Sequence, residues 1–175
     1  MSVVKVHNIF LIGPMGSGKS TIGRVLAKEL KLDFYDSDAV IEQRAGADIA
    51  WIFDVEGEEG FRKREQKTID ELTQKTNIVL ATGGGAIMTP ENRNVLAARG
   101  TVIYLKTSLQ QQYERTKRDT KRPLLRTDDL VERLKSLDEE RSVYYDELSD
   151  ISFETDKLTA KLVVKNILKY LYGES

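Results

Sequence analysis

The chain has 175 residues, of which 40% are hydrophobic and 31% are charged, and its formal net charge is −1. This length and composition predict one soluble globular domain over residues 1–175, and the near-zero charge argues against a general nucleic-acid binder. The absence of cysteine excludes disulfides, thiolate metal sites and a cysteine nucleophile, and no apolar run is long enough to span a membrane. The first residues lack a signal-peptide pattern, so we expect an unprocessed cytoplasmic protein.

The first predicted strand, residues 4–12, leads into the sequence GPMGSGKST at residues 13–21. This stretch fits the pattern G-x-x-x-x-G-K-[ST] of a phosphate-binding loop, in which Lys19 reaches the β- and γ-phosphates and Ser20 binds Mg²⁺. Glycines let the backbone turn tightly, so that successive N–H groups converge on phosphate oxygens. A helix predicted at residues 19–30 places its positive N-terminal end at the phosphates. The order of strand, loop and helix therefore favours a bound nucleotide over a simple glycine-rich turn.

The second predicted strand, residues 33–35, runs into Asp36 and Asp38. Residues two apart on an extended chain point the same way, so both carboxylates are expected near Mg²⁺ and substrate. One would hold the metal through water, and the other would orient or deprotonate an acceptor hydroxyl. The alternative is a polar turn that caps a helix predicted at residues 39–45.

The next predicted helix, residues 57–74, carries Arg62 and Glu65 three positions apart. A surface ion pair is one interpretation, and it would contribute little stability. The other is that Glu65 positions Arg62 toward a substrate carboxylate, which the planar fork of arginine suits.

The third predicted strand, residues 78–81, is followed by the sequence TGGG at residues 82–85. Three successive glycines cost backbone entropy, and they favour a loop whose backbone approaches a ligand closely over an ordinary tight turn. This strand lacks the terminal Asp that commonly holds Mg²⁺ in phosphate-loop enzymes, so Asp36 is the favoured metal ligand.

A basic segment, RTKRDTKRPLLR at residues 115–126, follows further elements of the same alternating kind. Helices are predicted at residues 90–98, 109–116, 128–148 and 159–171, and strands at residues 102–105 and 151–153. Five strands separated by helices predict an α/β fold with a parallel sheet that binds its ligands at the carboxyl ends of the strands. The basic segment is either a solvated patch or a loop that closes over the nucleotide and brings an arginine to the transferring phosphate.

The motifs of this sequence, taken together in chain order, resemble those of the shikimate kinase family, and the resemblance runs from residue 9 to about residue 168. They are GPMGSGKST at 13–21, FYDSD at 34–38, GEEGFRKRE at 57–65, TGGG at 82–85, RPLL at 122–125, and ER followed by YY within 140–145. The resemblance implies a three-layer P-loop kinase fold, a five-stranded parallel sheet flanked by helices, with a substrate-binding region at about 36–65 and a lid at about 115–127. It implies transfer of the γ-phosphoryl of ATP to the 3-hydroxyl of shikimate, in the pathway to chorismate and aromatic amino acids. No coiled-coil heptads are present, and a monomer is expected.

The resemblance also implies roles for the residues that match the family motifs. ATP phosphates would be bound by Gly16, Ser17, Gly18, Lys19, Ser20, Thr21 and Arg122, and one Mg²⁺ would be held by Ser20 and Asp36. Arg115 resembles the arginine that stacks against adenine. Shikimate would be bound by Asp38, Arg62, Gly83, Gly84, Gly85 and Arg141, with the two arginines taking its carboxylate. The catalytic residues would be Lys19, Asp38 as the candidate base, and Arg122 as the lid arginine.

Two other classes of protein share the phosphate-binding loop. One is another small-metabolite kinase, such as a gluconate or nucleoside monophosphate kinase, but the arginines and the triple glycine favour a small acidic polyol. The other is a nucleotide-dependent switch, which for a GTPase requires an N-K-x-D motif that this sequence lacks. The lid departs from the family pattern, because residues 116–121 contain no glycine.

Overall fold

The computed structural model describes residues 7–117 and 129–173. The strands are β1 (Asn8–Ile12), β2 (Asp33–Asp36), β3 (Ile78–Ala81), β4 (Thr101–Lys106) and β5 (Ile151–Glu154). The helices are α1 (Lys19–Leu30), α2 (Ser37–Ala45), α3 (Ile49–Thr73), α4 (Pro90–Arg99), α5 (Leu109–Thr116), α6 (Leu130–Leu148) and α7 (Ala160–Tyr172). A short 3₁₀ helix, Ala86–Met88, lies between β3 and α4.

The five strands form one parallel sheet in the order β2-β3-β1-β4-β5. This confirms the predicted α/β fold. All five residues of the central strand β1 are buried, as expected for a strand with sheet on both sides and helices on both faces. Because the strands are parallel, the loops that follow β1, β2 and β3 emerge at the same edge of the sheet.

Alternate residues of β1 face two separate hydrophobic layers, which makes three layers in all. Ile9 and Leu11 pack against α1 and α7, whereas Phe10 and Ile12 pack against α3, α4 and α6. Within the described residues, no helix has the length and apolar character needed to cross a membrane.

The structure corrects the prediction in two places. Helix α3 consists of two helical segments that meet at Gly57, whose backbone angles of φ 75° and ψ 175° are not helical. The segment after Gly57 matches the helix predicted at residues 57–74, whereas the segment that begins at Ile49 was not predicted. This first segment is capped by Asp48, whose carboxylate accepts a hydrogen bond from the Trp51 N–H at 2.8 Å.

The second correction concerns Asp36 and Asp38. α2 begins at Ser37, so Asp36 is the last residue of β2 and Asp38 lies in the first turn of the helix. The prediction that both carboxylates project from an extended strand was therefore wrong, although both line the same cleft. The turn between them brings Asp38 to the glycine loop.

Candidate active site

The phosphate-binding loop joins β1 to α1 in the predicted order. Gly16 and Gly18 have φ angles of 81° and 87°, a left-handed conformation that favours glycine, and Gly18 is the N-cap of α1. No described side chain caps this helix end, so its first N–H groups remain available to a phosphate.

Lys19 lies across the phosphate-binding loop. Its Nζ donates hydrogen bonds to the carbonyls of Gly13 at 2.6 Å and Pro14 at 2.8 Å. Ser17 is fully buried, and its N–H donates to the Pro14 carbonyl at 3.3 Å. Ser17 therefore helps to shape the loop, whereas Thr21 is exposed at the mouth of the cleft.

Asp36 is a helix cap, which is one of the two interpretations that its sequence position left open. One carboxylate oxygen accepts from the Ala39 N–H at 3.2 Å and caps α2. The other accepts a short hydrogen bond from the Ser20 hydroxyl. The end of β2 is therefore joined directly to the start of α1.

The triple glycine makes room for functional side chains. A Cβ at Gly83 would lie 2.7 Å from Asp38 Oδ1 and 3.1 Å from Glu65 Oε2. A Cβ at Gly85 would lie 2.9 Å from Arg141 Nη2 and would collide with the guanidinium of Arg62. None of the three glycines has a positive φ, so space and not conformational freedom requires them here.

Arg62 and Arg141 converge on Gly85 from α3 and α6. Arg62 Nη1 lies 2.8 Å from Glu65 Oε1, and the Glu65 side chain is only 1% exposed. Burial lowers the pKa of Arg62, but the Glu65 carboxylate outweighs burial, and the pKa is raised overall. The predicted pairing of these two side chains is thus present, and it is partly buried, because Glu65 is enclosed while Arg62 is still partly exposed.

Arg141 is the less compensated of the two arginines. Only 5% of the residue is exposed, and burial together with the nearby charge of Arg62 lowers its pKa. Burial also raises the pKa of Glu65, against the opposing charges of Arg62 and Arg141. Arg141 is buried and makes no ion pair with a carboxylate among the described residues, so it and the neighbouring Arg62 favour an anion as the ligand.

Two residues that sequence reasoning missed hold the glycine loop. The Gly83 N–H donates to Ser37 Oγ at 3.2 Å, and the Tyr145 hydroxyl donates to the Gly84 carbonyl at 2.5 Å. Both side chains are buried. The available signal for Tyr145 was its spacing, since it lies four residues after Arg141 and so on the same face of α6.

A cleft of about 240 Å³ joins most of the phosphate-binding loop to Asp36, Asp38, Gly83 and Gly84. Its lining does not include Arg62, Gly85 or Arg141, which lie together at the far end of the glycine loop. Arg115 also lines the cleft, and its Nη1 donates to the Gly16 carbonyl at 2.6 Å. A second cleft lies on the far side of Arg115, lined also by Thr155 and Leu158. Arg122 and residues 118–127 of the predicted lid lie outside the described residues.

Comparisons with known proteins agree with this geometry. The family model of shikimate kinase matches residues 15–172. The chain is 80% identical over 174 residues to a shikimate kinase of Legionella pneumophila (strain Corby), which covers 99% of each chain. It is 63% identical over 165 residues to a shikimate kinase of Psychromonas ingrahamii, which covers 94% of this chain and 96% of the relative.

The solved structure of shikimate kinase from Acinetobacter baumannii in complex with shikimate superposes on the fold with a TM-score of 0.94. Its sequence is 45% identical, and the match covers 95% of this chain and 93% of that one. The family match, the relative that is 80% identical, and the arrangement of phosphate-binding loop, glycine loop and arginines lead to one conclusion. The chain belongs to the shikimate kinase family.

Proposed function

We propose that this protein transfers the γ-phosphoryl of ATP to the 3-hydroxyl of shikimate, giving shikimate 3-phosphate and ADP in the pathway to chorismate and aromatic amino acids. The observation that carries the proposal is the position of Arg62 and Arg141 at the glycine loop, because Gly84 of that loop lies between Arg141 and Met15 of the phosphate-binding loop. The phosphate-binding loop would bind the triphosphate of ATP, and the two arginines would bind the carboxylate of shikimate, so both substrates of this reaction would meet in one site.

The donor half is formed by residues 16–21 and Arg115. Backbone N–H groups at the start of α1 would bind the phosphates, and Lys19 would turn from the carbonyls of Gly13 and Pro14 to the phosphate oxygens. The adenine would occupy the second cleft, between Arg115 and Leu158. Arg122, on the predicted lid, would neutralise charge on the transferring phosphoryl group.

Ser20 and Asp36 suit a magnesium ion. Their oxygen atoms are already in contact, and Mg²⁺ is usually bound by one or two protein oxygens together with phosphates and water. Among residues 7–117 and 129–173, no cluster of three or more His, Asp or Glu side chains forms a metal site, which fits a metal held largely by the nucleotide. When bound, the ion would offset the charge of the β- and γ-phosphates.

The acceptor half is formed by Asp38, the glycine loop and the two arginines. The carboxylate of shikimate would bind Arg62 and Arg141, and the backbone of residues 83–85 would lie against its ring. Asp38 Oδ1 lies beside Gly83, where it would orient the 3-hydroxyl for in-line attack and accept its proton. Phosphoryl transfer depends mainly on such positioning and charge stabilisation.

We propose further that the chain is one domain, with a substrate-binding region at about 36–65 and a lid at about 115–127. It would act as a cytoplasmic monomer that binds neither nucleic acid nor membrane. Its net charge of −1 supports the expected lack of binding to nucleic acid and membrane, because nucleic acids and anionic lipid surfaces attract strongly basic proteins.

The proposal is tested by a coupled assay of ADP release with shikimate, gluconate and AMP offered separately, each with Mg²⁺ and ATP. We expect turnover with shikimate only. ADP release with gluconate or AMP, and none with shikimate, would contradict the proposal. Omission of Mg²⁺ in the presence of a chelator is expected to abolish turnover.

A further inference from the structure

The backbone after β3 is held by side chains from several different elements. Thr82 Oγ1 donates to the Leu11 carbonyl at 3.0 Å, and Asn92 Nδ2 donates to the Ala86 carbonyl at 3.0 Å. The Gly83 N–H donates to Ser37 Oγ, and the Gly84 carbonyl accepts from the Tyr145 hydroxyl. Of these contacts, the one from Tyr145 comes from the helix that also carries Arg141.

Tyr145 is fixed on both sides. The residue is 1% exposed, and its ring stacks on Tyr104 with the ring centroids 4.9 Å apart and an interplanar angle of 25°. Burial raises the pKa of its hydroxyl, and the positive charge of Arg141 opposes this rise, which places the two groups within electrostatic reach. A neutral hydroxyl in this position is a fixed hydrogen-bond donor to the Gly84 carbonyl.

Arg141 depends on the glycine loop for its position. A Cβ at Gly84 would lie 3.4 Å from Arg141 Nη1, so the guanidinium rests directly on the loop. Arg141 Nε is buried and has no hydrogen-bond partner among the residues that the structure describes. Any shift of Gly84 would therefore change where the guanidinium can lie.

We propose that Tyr145 is a positioning residue for the acceptor site, whose hydroxyl fixes the Gly84 carbonyl and so sets the spacing between the glycine loop and Arg141. This inference rests on the proposed function, because it concerns the site assigned to the shikimate carboxylate. Tyr145 acts through the loop and through its helix neighbour, and it need not touch the substrate.

The test compares Tyr145→Phe with Tyr144→Phe, which removes a hydroxyl from the adjacent position of the same helix. Tyr144 instead covers Arg93, whose guanidinium carbon lies 4.4 Å from the ring centroid. Loss of the Tyr145 hydrogen bond is expected to raise the KM for shikimate roughly 3- to 10-fold, since the Gly84 carbonyl loses its buried donor. The KM for ATP is expected to stay within about twofold, because a role confined to the acceptor side leaves the donor contacts in place.

The outcomes separate the possible roles of Tyr145. An unchanged KM for shikimate with a lower Tm would make the residue merely structural and overturn the inference, as would equal increases in both KM values. KM does not depend on the fraction of folded enzyme, so the comparison holds even if the variant folds poorly. A wild-type protein inactive with shikimate would instead contradict the proposed function, and direct calorimetric binding of shikimate would distinguish the two failures.

Discussion

Asp38 approaches the glycine loop from the first turn of α2. A Cβ at Gly83 would lie only 2.7 Å from its Oδ1. Asp38→Asn keeps the shape of the side chain but removes the charge that would accept a proton. We expect turnover to fall about 100-fold or more, the usual contribution of a general base. The Kd for ATP should change little, because the phosphate contacts lie on the other side of the cleft.

The matched control for that substitution is Asp33→Asn, at the exposed start of β2. It removes one carboxylate from the neighbouring strand without touching the cleft, and we expect normal turnover. Steady-state kinetics and nucleotide titration of both variants provide the measurement. Near-normal turnover of Asp38→Asn would exclude its role in orienting or deprotonating the hydroxyl.

Arg62→Ala is expected to act mainly on the KM for shikimate. A charged hydrogen-bond donor to a carboxylate contributes about 1.5–3 kcal/mol, so we expect roughly a 10- to 100-fold increase. Arg64→Ala is the control, because Arg64 lies on the same helix and pairs with Glu56 at 2.7 Å near the surface. An unchanged KM for Arg62→Ala would remove Arg62 from the carboxylate site.

At the scale of elements, the connection after β4 and the connection after β5 are joined by Asp156. Its carboxylate accepts from Thr107 Oγ1 at 2.8 Å and from the Ser108 N–H at 3.0 Å. Hydrogen bonds from Ser108 and Thr107, with attraction to Arg115, lower the pKa of Asp156 below its ordinary value of 3.8. The unfolded chain then binds more protons than the folded one in the interval between the two pKa values.

The stabilisation from this carboxylate is therefore present above pH 3.8 and is lost as the pH falls through the lower pKa of the folded state. Asp156→Asn lacks the charged carboxylate and its stabilising contribution, so we expect its Tm to lie about 1–3 °C below that of the wild type at neutral pH. The two values should converge under strongly acidic conditions. Thermal unfolding of the wild type and the variant, at neutral pH and under strongly acidic conditions, measures this difference in Tm. A Tm difference that does not change with pH would contradict the assigned cause.

The elements that sequence reasoning predicted well are those whose pattern is local. The continuous buried run of β1 and the glycines of the phosphate-binding loop can be recognised from neighbouring residues alone. The helix after Gly57 was predicted for the same reason, whereas the helical segment that begins at Ile49 was missed. Ser37 and Tyr145 were missed because the loop that they hold is distant in sequence, so no periodicity connects them.

The residues of the candidate site were predicted because they belong to family motifs. The structural roles of some of these residues were not predicted. The glycines at residues 83–85 suggested a close ligand, but the structure shows that they first admit the side chains of Asp38, Arg62 and Arg141. Asp36 appeared as either a cap or a metal ligand, and its two oxygens contact different partners. Such shared use depends on three-dimensional neighbours that spacing alone does not reveal.

At the scale of the whole molecule, Asn8 holds together the edge of the sheet that lies opposite the cleft. Its Nδ2 donates to the carbonyls of Lys75 at 2.8 Å and Arg99 at 3.2 Å, and its Oδ1 accepts from the Ile78 N–H at 3.2 Å. Asn8→Ala would remove these three hydrogen bonds, of which only the one from Ile78 has a replacement, the His7 carbonyl at 3.2 Å. We expect the free energy of unfolding to fall by about 2–4 kcal/mol, with unchanged KM values.

Urea unfolding and steady-state kinetics of Asn8→Ala, measured on the same preparation, test this separation of stability from activity. The variant removes no atom near the phosphate-binding loop, which lies at the other end of β1. A change in either KM would mean that the two edges of the sheet are coupled. An unchanged free energy of unfolding would contradict the importance of these hydrogen bonds.

The strand order has a consequence for the way the protein is made. β1 leaves the ribosome before the other four strands, but its neighbours in the sheet are β3 and β4, and β4 ends only at Lys106. β2 cannot serve as an early partner, because β3 inserts between it and β1. Contacts between such distant segments form late, after long loops have closed. The phosphate-binding loop is therefore synthesised well before the strands that support it and reaches its working shape only after they have joined the sheet.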